Sequence, residues 1–100
     1  MVALADFTFR LYVAGGSSNS RKAIANLSAL CLAHLPGRHT IYIVDVLEEP
    51  DRALCDSVFL VPSLLILAPL PVRRIVGTLS DAGAVLESLG LTPQPSGATA

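Results

Sequence analysis

Phe7-Thr-Phe-Arg-Leu-Tyr-Val-Ala-Gly-Gly-Ser-Ser-Asn-Ser20, with the residues that follow it to position 35, decides the fold. Phe7, Phe9, Leu11 and Val13 alternate with Thr8, Arg10 and Tyr12, a period of two in β-favouring residues that predicts a strand. Residues 14–20 read as a loop of turning glycines and short polar residues. Asn19 or Ser20 there is placed to cap a helix. From Arg21, the apolar residues Ile24, Leu27, Leu30, Cys31 and Leu35 recur at helical spacing. Pro36-Gly37 closes that helix. Thr40-Ile-Tyr-Ile-Val-Asp-Val46 is β-branched and almost continuously apolar, the pattern of an interior strand covered on both faces.

Outward from this unit the punctuation is sharper than the periodicity. Pro50 suits the first position of a helix, and residues 51–57 are predicted to make two turns with Leu54 and Cys55 turned inward. Leu64-Leu-Ile-Leu67 is too short a run for periodicity to separate strand from helix. Ala68-Pro69-Leu70-Pro71 is a turn, because two prolines remove donors and fix φ. Val72-Arg-Arg-Ile-Val-Gly77 reads as a strand forming a hairpin with residues 63–67. Ser80 is predicted to cap a last helix, with Asp81 placed well for its dipole and Val85, Leu86 and Leu89 inside. Gly90 stands at the left-handed C-terminal cap, with Leu91 folding back. Residues 92–100 lack large apolar side chains and are expected to form a disordered tail.

The resulting order is β-α-β-α-β-β-α, an α/β arrangement in which a right-handed parallel unit is extended by an antiparallel hairpin. That is the layout of a thioredoxin-like fold, and Pro62 stands where such folds often carry a cis proline before the third strand. One hundred residues suffice for one domain, expected over residues 1–91. With 52% hydrophobic residues, disorder of the whole chain is excluded. A net charge of −1 argues against a general nucleic-acid binder, and no apolar run reaches the roughly 20 residues of a membrane helix. The N-terminus does not read as a secretory signal, so a cytoplasmic protein is expected.

The residues with chemical potential mostly have simpler readings. The loop after the first strand holds no cysteine, so the C-x-x-C chemistry of thioredoxins, which needs a thiolate there, is not expected. Cys31 and Cys55 read as buried small hydrophobes. His34 and His39 lack companions at metal-ligand spacing. Gly15-Gly16 has no phosphate-loop spacing, and Ser17, Ser18 and Ser20 have no placed base to activate them. Arg73 and Arg74 should point to opposite faces of a strand. They are either protective surface charges or, with Arg10, Arg21 and Lys22, contacts to an acidic partner. Tyr12 is either core of the second face or an interface aromatic. Asp45 is either a strand-end residue or the partner of an arginine.

Four segments together resemble the KaiB family: Leu11-Tyr-Val-Ala-Gly15 with Asn19-Ser20; Val44-Asp-Val-Leu47 with Pro50; Asp56-x-Val58 leading to Val61-Pro-Ser-Leu64; and Pro71-Val-Arg-Arg-Ile-Val-Gly77 with Leu79-Ser-Asp81. The resemblance implies a non-catalytic regulator without cofactor or metal. Such a protein binds the N-terminal ATPase ring of the clock protein KaiC, and the complex can sequester KaiA. A similar domain begins the clock kinase SasA. The resemblance also implies metamorphism, with a tetramer of β-α-β-β-α-α-β order and a thioredoxin-like monomer that binds KaiC. In this reading Arg10, Arg21, Lys22, Arg73 and Arg74 are partner-binding candidates, and Pro62, Pro69, Pro71 and Gly90 are structural. This chain departs from the family at Leu60-Val-Pro-Ser-Leu64, where Ala-Thr-Pro-Thr-Leu is common, and at Ser57, where lysine is common. It departs again at Ser88-Leu89-Gly90, where many relatives have Gly-Leu-Asp. Glycine at the helix end rather than inside it favours the last helix by about 0.5–1 kcal/mol, so the thioredoxin-like form is the expected resting state. The alternatives are a diverged adaptor in stress signalling without clock function and, from a different class, a redox protein.

Overall fold

The computed structural model describes residues 6–91; residues 92–100, where the tail is predicted, lie outside the described residues. The elements run β1 (Phe7–Val13), α1 (Ser18–His34), β2 (His39–Asp45), α2 (Pro50–Cys55), β3 (Ser63–Ala68), β4 (Arg73–Val76) and α3 (Ala82–Ser88). The strands form one sheet in the order β2-β1-β3-β4. β1 runs parallel to β2 and antiparallel to β3, with β3 antiparallel to β4. Leu67 is the extra residue of an irregularity in the β1–β3 ladder, where Phe9 faces Ile66 but Thr8 faces Ala68. The element order and the thioredoxin-like architecture are those predicted, and Leu64–Leu67 resolves as strand.

The period of two in β1 divides the molecule into two layers. Phe7, Phe9, Leu11 and Val13 pack with Leu27, Leu30, Cys31 and Leu35 of and just after α1, Leu64 and Ile66 of β3, and Val85, Leu86 and Leu89 of and just after α3. On the opposite face Tyr12, Val44 and Leu65 pack with Ala53 of α2 and with Val58. Burying each large side chain contributes about 1.5–3 kcal/mol, so the larger layer under α1 and α3 dominates.

Four local expectations are corrected. α1 begins three residues early, capped by Ser17, whose hydroxyl accepts the Ser20 N–H at 3.3 Å. Ser20 is buried instead, where its Oγ accepts the Ala14 N–H at 2.9 Å. Asp81 rather than Ser80 caps α3, its carboxylate accepting the Ala84 N–H at 3.0 Å. Leu54 and Cys55 face solvent, because six residues of helix present Ala53 alone to the sheet. β2 is an edge strand: its apolar run reflects two faces partly roofed by helices, yet Thr40, Tyr42 and Ile43 remain exposed.

The end of α3 follows the prediction closely. Gly90 has φ of 77°, its N–H bonds to Glu87 O at 3.0 Å, and the Leu91 N–H returns to Leu86 O at 2.8 Å, the paired closure that a left-handed glycine permits. The Val61–Pro62 peptide is cis, as are those before Pro69 and Pro71.

Candidate partner-binding surface

The loops at the C-terminal end of β1 converge on one end of the sheet. Gly15 turns the chain out of β1 with φ of 56°, a conformation that costs glycine little. Its N–H donates to Asp45 Oδ1 at 3.0 Å, and the same oxygen accepts the Leu47 N–H at 2.9 Å. Asp45 is therefore a strand-end residue whose carboxylate ties the loop after β1 to the loop after β2. A side chain at Gly15 would meet the Leu47 methyl at 3.4 Å. Beside these loops lies the segment joining α2 to β3, where the Ser63 hydroxyl donates to Leu60 O. Leu47 (72% exposed), Phe59 (78%) and Leu60 (65%) form an apolar rim around this end, with Val61 beside them.

Across the α2 face, Tyr42, Arg10, Leu65 and Arg74 occupy one row spanning all four strands. Arg10 Nη1 donates to Asp56 Oδ2 at 2.9 Å, and the buried Tyr12 hydroxyl donates to the same carboxylate oxygen. Arg74 bonds the next backbone carbonyls, Asp56 O at 2.5 Å and Ser57 O at 2.6 Å. The hydrogen bond from Tyr12, followed by that from Arg10 and its charge, holds the Asp56 carboxyl below the usual carboxylate range against the opposing effect of burial. Burial, then the bond to Asp56, pushes the Tyr12 phenol up. Hydrogen bonding to Asp56 chiefly raises Arg10. Tyr12 is thus core of the second face, with its polar tip satisfied.

The five basic candidates do not form one cluster. Arg10 and Arg74 meet on the α2 face at Asp56. Arg73 points to the other face, where its guanidinium bonds Ser88 O at the end of α3 and Pro69 O at 3.4 Å. Arg21 and Lys22 lie exposed in the first turns of α1. The sequence reading missed Asp56 as the hub and the apolar rim as a surface. The rim was signalled by Leu60-Val61 in place of smaller or polar residues, whereas Asp56 and its partners lie 44 and 46 positions apart.

No reactive constellation accompanies this surface. Burial pushes the Cys31 thiol up to about 11, which leaves almost no thiolate at neutral pH, and Cys55 is exposed at the end of α2. Among the described residues no three His, Cys, Asp or Glu side chains are grouped to hold a metal. No helix among them is long and apolar enough to cross a membrane.

Comparison with known proteins places the fold and the family. The N-terminal domain of Synechococcus elongatus SasA superposes with a TM-score of 0.72 at 14% identity, covering 94% of this chain and 92% of that domain. Chloroplastic thioredoxin z superposes with a TM-score of 0.71 at 22% identity, covering 85% and 76%. At these identities the likeness is one of fold. In sequence, the circadian clock protein KaiB3 of Synechocystis sp. is 38% identical over 85 residues, covering 85% of this chain and 83% of the relative. The circadian clock oscillator protein KaiB of Synechococcus elongatus is 39% identical over the same length and coverage. The KaiB domain model matches residues 10–91, which takes in the loops, Asp56, the apolar rim and every basic candidate. The chain belongs to the KaiB family.

Proposed function

We propose that this chain is a non-catalytic, clock-type regulatory protein that acts by docking on the ATPase ring of a KaiC-like partner. The observation carrying this reading is a KaiB-family chain folded in the thioredoxin-like arrangement, with an apolar rim at the loop end where thioredoxins place their cysteines. Apolar anchors at the centre of an interface supply most binding energy, and a charged rim supplies orientation and rate. In this reading Leu47, Phe59 and Leu60 are the anchors. Arg21 and Lys22, with exposed Arg74, are the cations offered to acidic residues of the partner. Arg10 and Arg73 act by holding the sheet and its helices in the docking shape.

The test is calorimetric titration of the full chain into a purified KaiC-like N-terminal ATPase domain from the same genome. Saturable binding is expected, and Phe59→Asp should weaken it at least about tenfold, the loss of one modest hot spot. Because Phe59 is exposed, its circular dichroism should be unchanged. Absence of binding by the wild-type chain would overturn the reading. A second reading, an adaptor for a different partner, is favoured by Ser57 and by the more apolar Leu60-Val61; it predicts binding to a protein other than the ATPase. Insulin reduction above a no-protein control would instead support redox chemistry.

A further inference from the structure

α1 departs from the ordinary pattern of a surface helix. Such a helix turns a charged or polar face to water, and one that is apolar all round is covered. The 17 residues Ser18–His34 hold no Asp or Glu, and after Lys22 the sequence carries no Asp, Glu, Lys or Arg until Arg38. Ser20, Ala23, Leu27, Leu30 and Cys31 face the core. Charges belong on the opposite side, yet that side consists of Ala25, Ala29, Leu32 and Ala33, all exposed, with Leu32 at 69%. These four fall at i, i+4, i+7 and i+8 and so share one face. Half-buried Asn26 and Ser28 flank it, and Arg21 and Lys22 stand exposed at its N-terminal end. Beside it, towards α3, Ala29 and Ala33 border a depression of about 270 Å³ that Asn26, Leu79, Ser80 and Ala82 complete.

We propose that this outer face of α1 is a docking surface for an acidic amphipathic helix of a partner protein. Alanines let a second helix come close, since the side chains at the contact set the distance between the axes. The depression takes a large apolar side chain projecting from that helix, as helix-binding grooves do. The charge pattern selects the occupant. α1 bears two cations at one end and no anion, so carboxylates of an incoming helix meet Arg21 and Lys22, whereas a basic helix meets like charge. A second copy of α1 brings no carboxylate either, which leaves self-pairing without complementary charge. A membrane matches less well, because interfacial helices hold to lipid through Trp, Phe and Leu, and this face has one leucine among alanines. The surface meets the apolar rim of the loop end only at the first turn of α1, so the two are tested apart.

The test is NMR titration of the isotopically labelled full chain with two synthetic helical peptides of about 18 residues, long enough to span α1. Both carry leucine at i, i+3, i+4 and i+7 spacing; one has glutamate on its other face and the second has lysine. Saturable shifts of the amides in residues 25–33 and 79–82 are expected with the glutamate peptide. The lysine peptide should bind at least about tenfold more weakly. Ala29→Glu and Leu32→Glu, which keep a good helix former in place, should each weaken the glutamate peptide at least about tenfold. Leu54→Glu, the same charge added on α2, should leave it unchanged. Arg21→Glu combined with Lys22→Glu should turn the preference to the lysine peptide. Equal binding of the two peptides, no shifts with either, or shifts confined to residues 47 and 59–61 would overturn the proposal. Phosphatidylglycerol vesicles that shift the α1 amides more than the glutamate peptide does would put a membrane in its place. α1 shifts that grow with protein concentration alone would put a second copy there.

Discussion

Asp56 accepts hydrogen bonds from a buried phenol on one strand and a guanidinium on the same strand, while Arg74 from another strand grips the backbone carbonyls at and just after it. Its carboxyl titrates below the ordinary range in the folded chain, so the folded state binds fewer protons than the unfolded one in mild acid. The stability this supplies is fully present above the unfolded-state carboxylate pKa and is lost as pH falls through the folded value. Acid titration of unfolding should therefore show a destabilisation below about pH 4 that is flatter in Asp56→Asn. Tyr12 has the opposite sign, its contribution being present at neutral pH and lost as pH rises past the ordinary phenol range. Tyr12→Phe should cost about 1 kcal/mol at pH 7 by chemical denaturation, the net value of one buried hydrogen bond whose partner keeps another donor. None of this network was legible in the sequence, because its members are joined only when β1, α2 and β4 assemble. Arg73 and Arg74, by contrast, were legible as pointing to opposite faces, because strand alternation is local.

At the scale of elements, the last helix offers a matched pair of tests. Gly90 closes α3 with a positive φ, so Gly90→Ala should destabilise by about 1 kcal/mol. Gly83 lies inside the helix, and an added Cβ there meets only Asp81 Oδ1 at an ordinary 3.5 Å. Gly83→Ala should stabilise by about 0.5–1 kcal/mol, and thermal melts of the two variants should move in opposite directions. The elements themselves were readable where the pattern was strong: the alternation of β1, the helical spacing of α1 and the closure at Gly90. What misled was the continuous apolar run of β2. Such a run reports that both faces are partly covered, but backbone hydrogen bonding decides whether a strand is central or at an edge. α1 shows the same limit at its start, where three serines compete for the cap and the sequence cannot say that Ser20 is needed beneath the loop.

For the whole molecule, the two layers differ in what supports them. β1 is flanked by strands on both sides and buried by helices on both faces, whereas residues 56–62 bury only Val58 and Pro62 and are held by local turn bonds, the Gly77 N–H to Pro62 O and a few side-chain bonds. Native-state hydrogen exchange should find the slowest amides in β1 and the central part of β3, and opening energies well below the global value in α2 and residues 56–62. Uniform protection across the chain would contradict this division. β4 gives the division its boundary. Its neighbouring arginines reach through opposite faces of the sheet, one to the end of α3 and the other to the end of α2. This four-residue strand ties one helix end on each face, so displacing it releases both ties at once, while the β1-α1-β2 unit keeps its own ladder. A chain built this way opens first at its short outer strand and at residues 56–62, while β3 stays beside β1 until the whole sheet gives way.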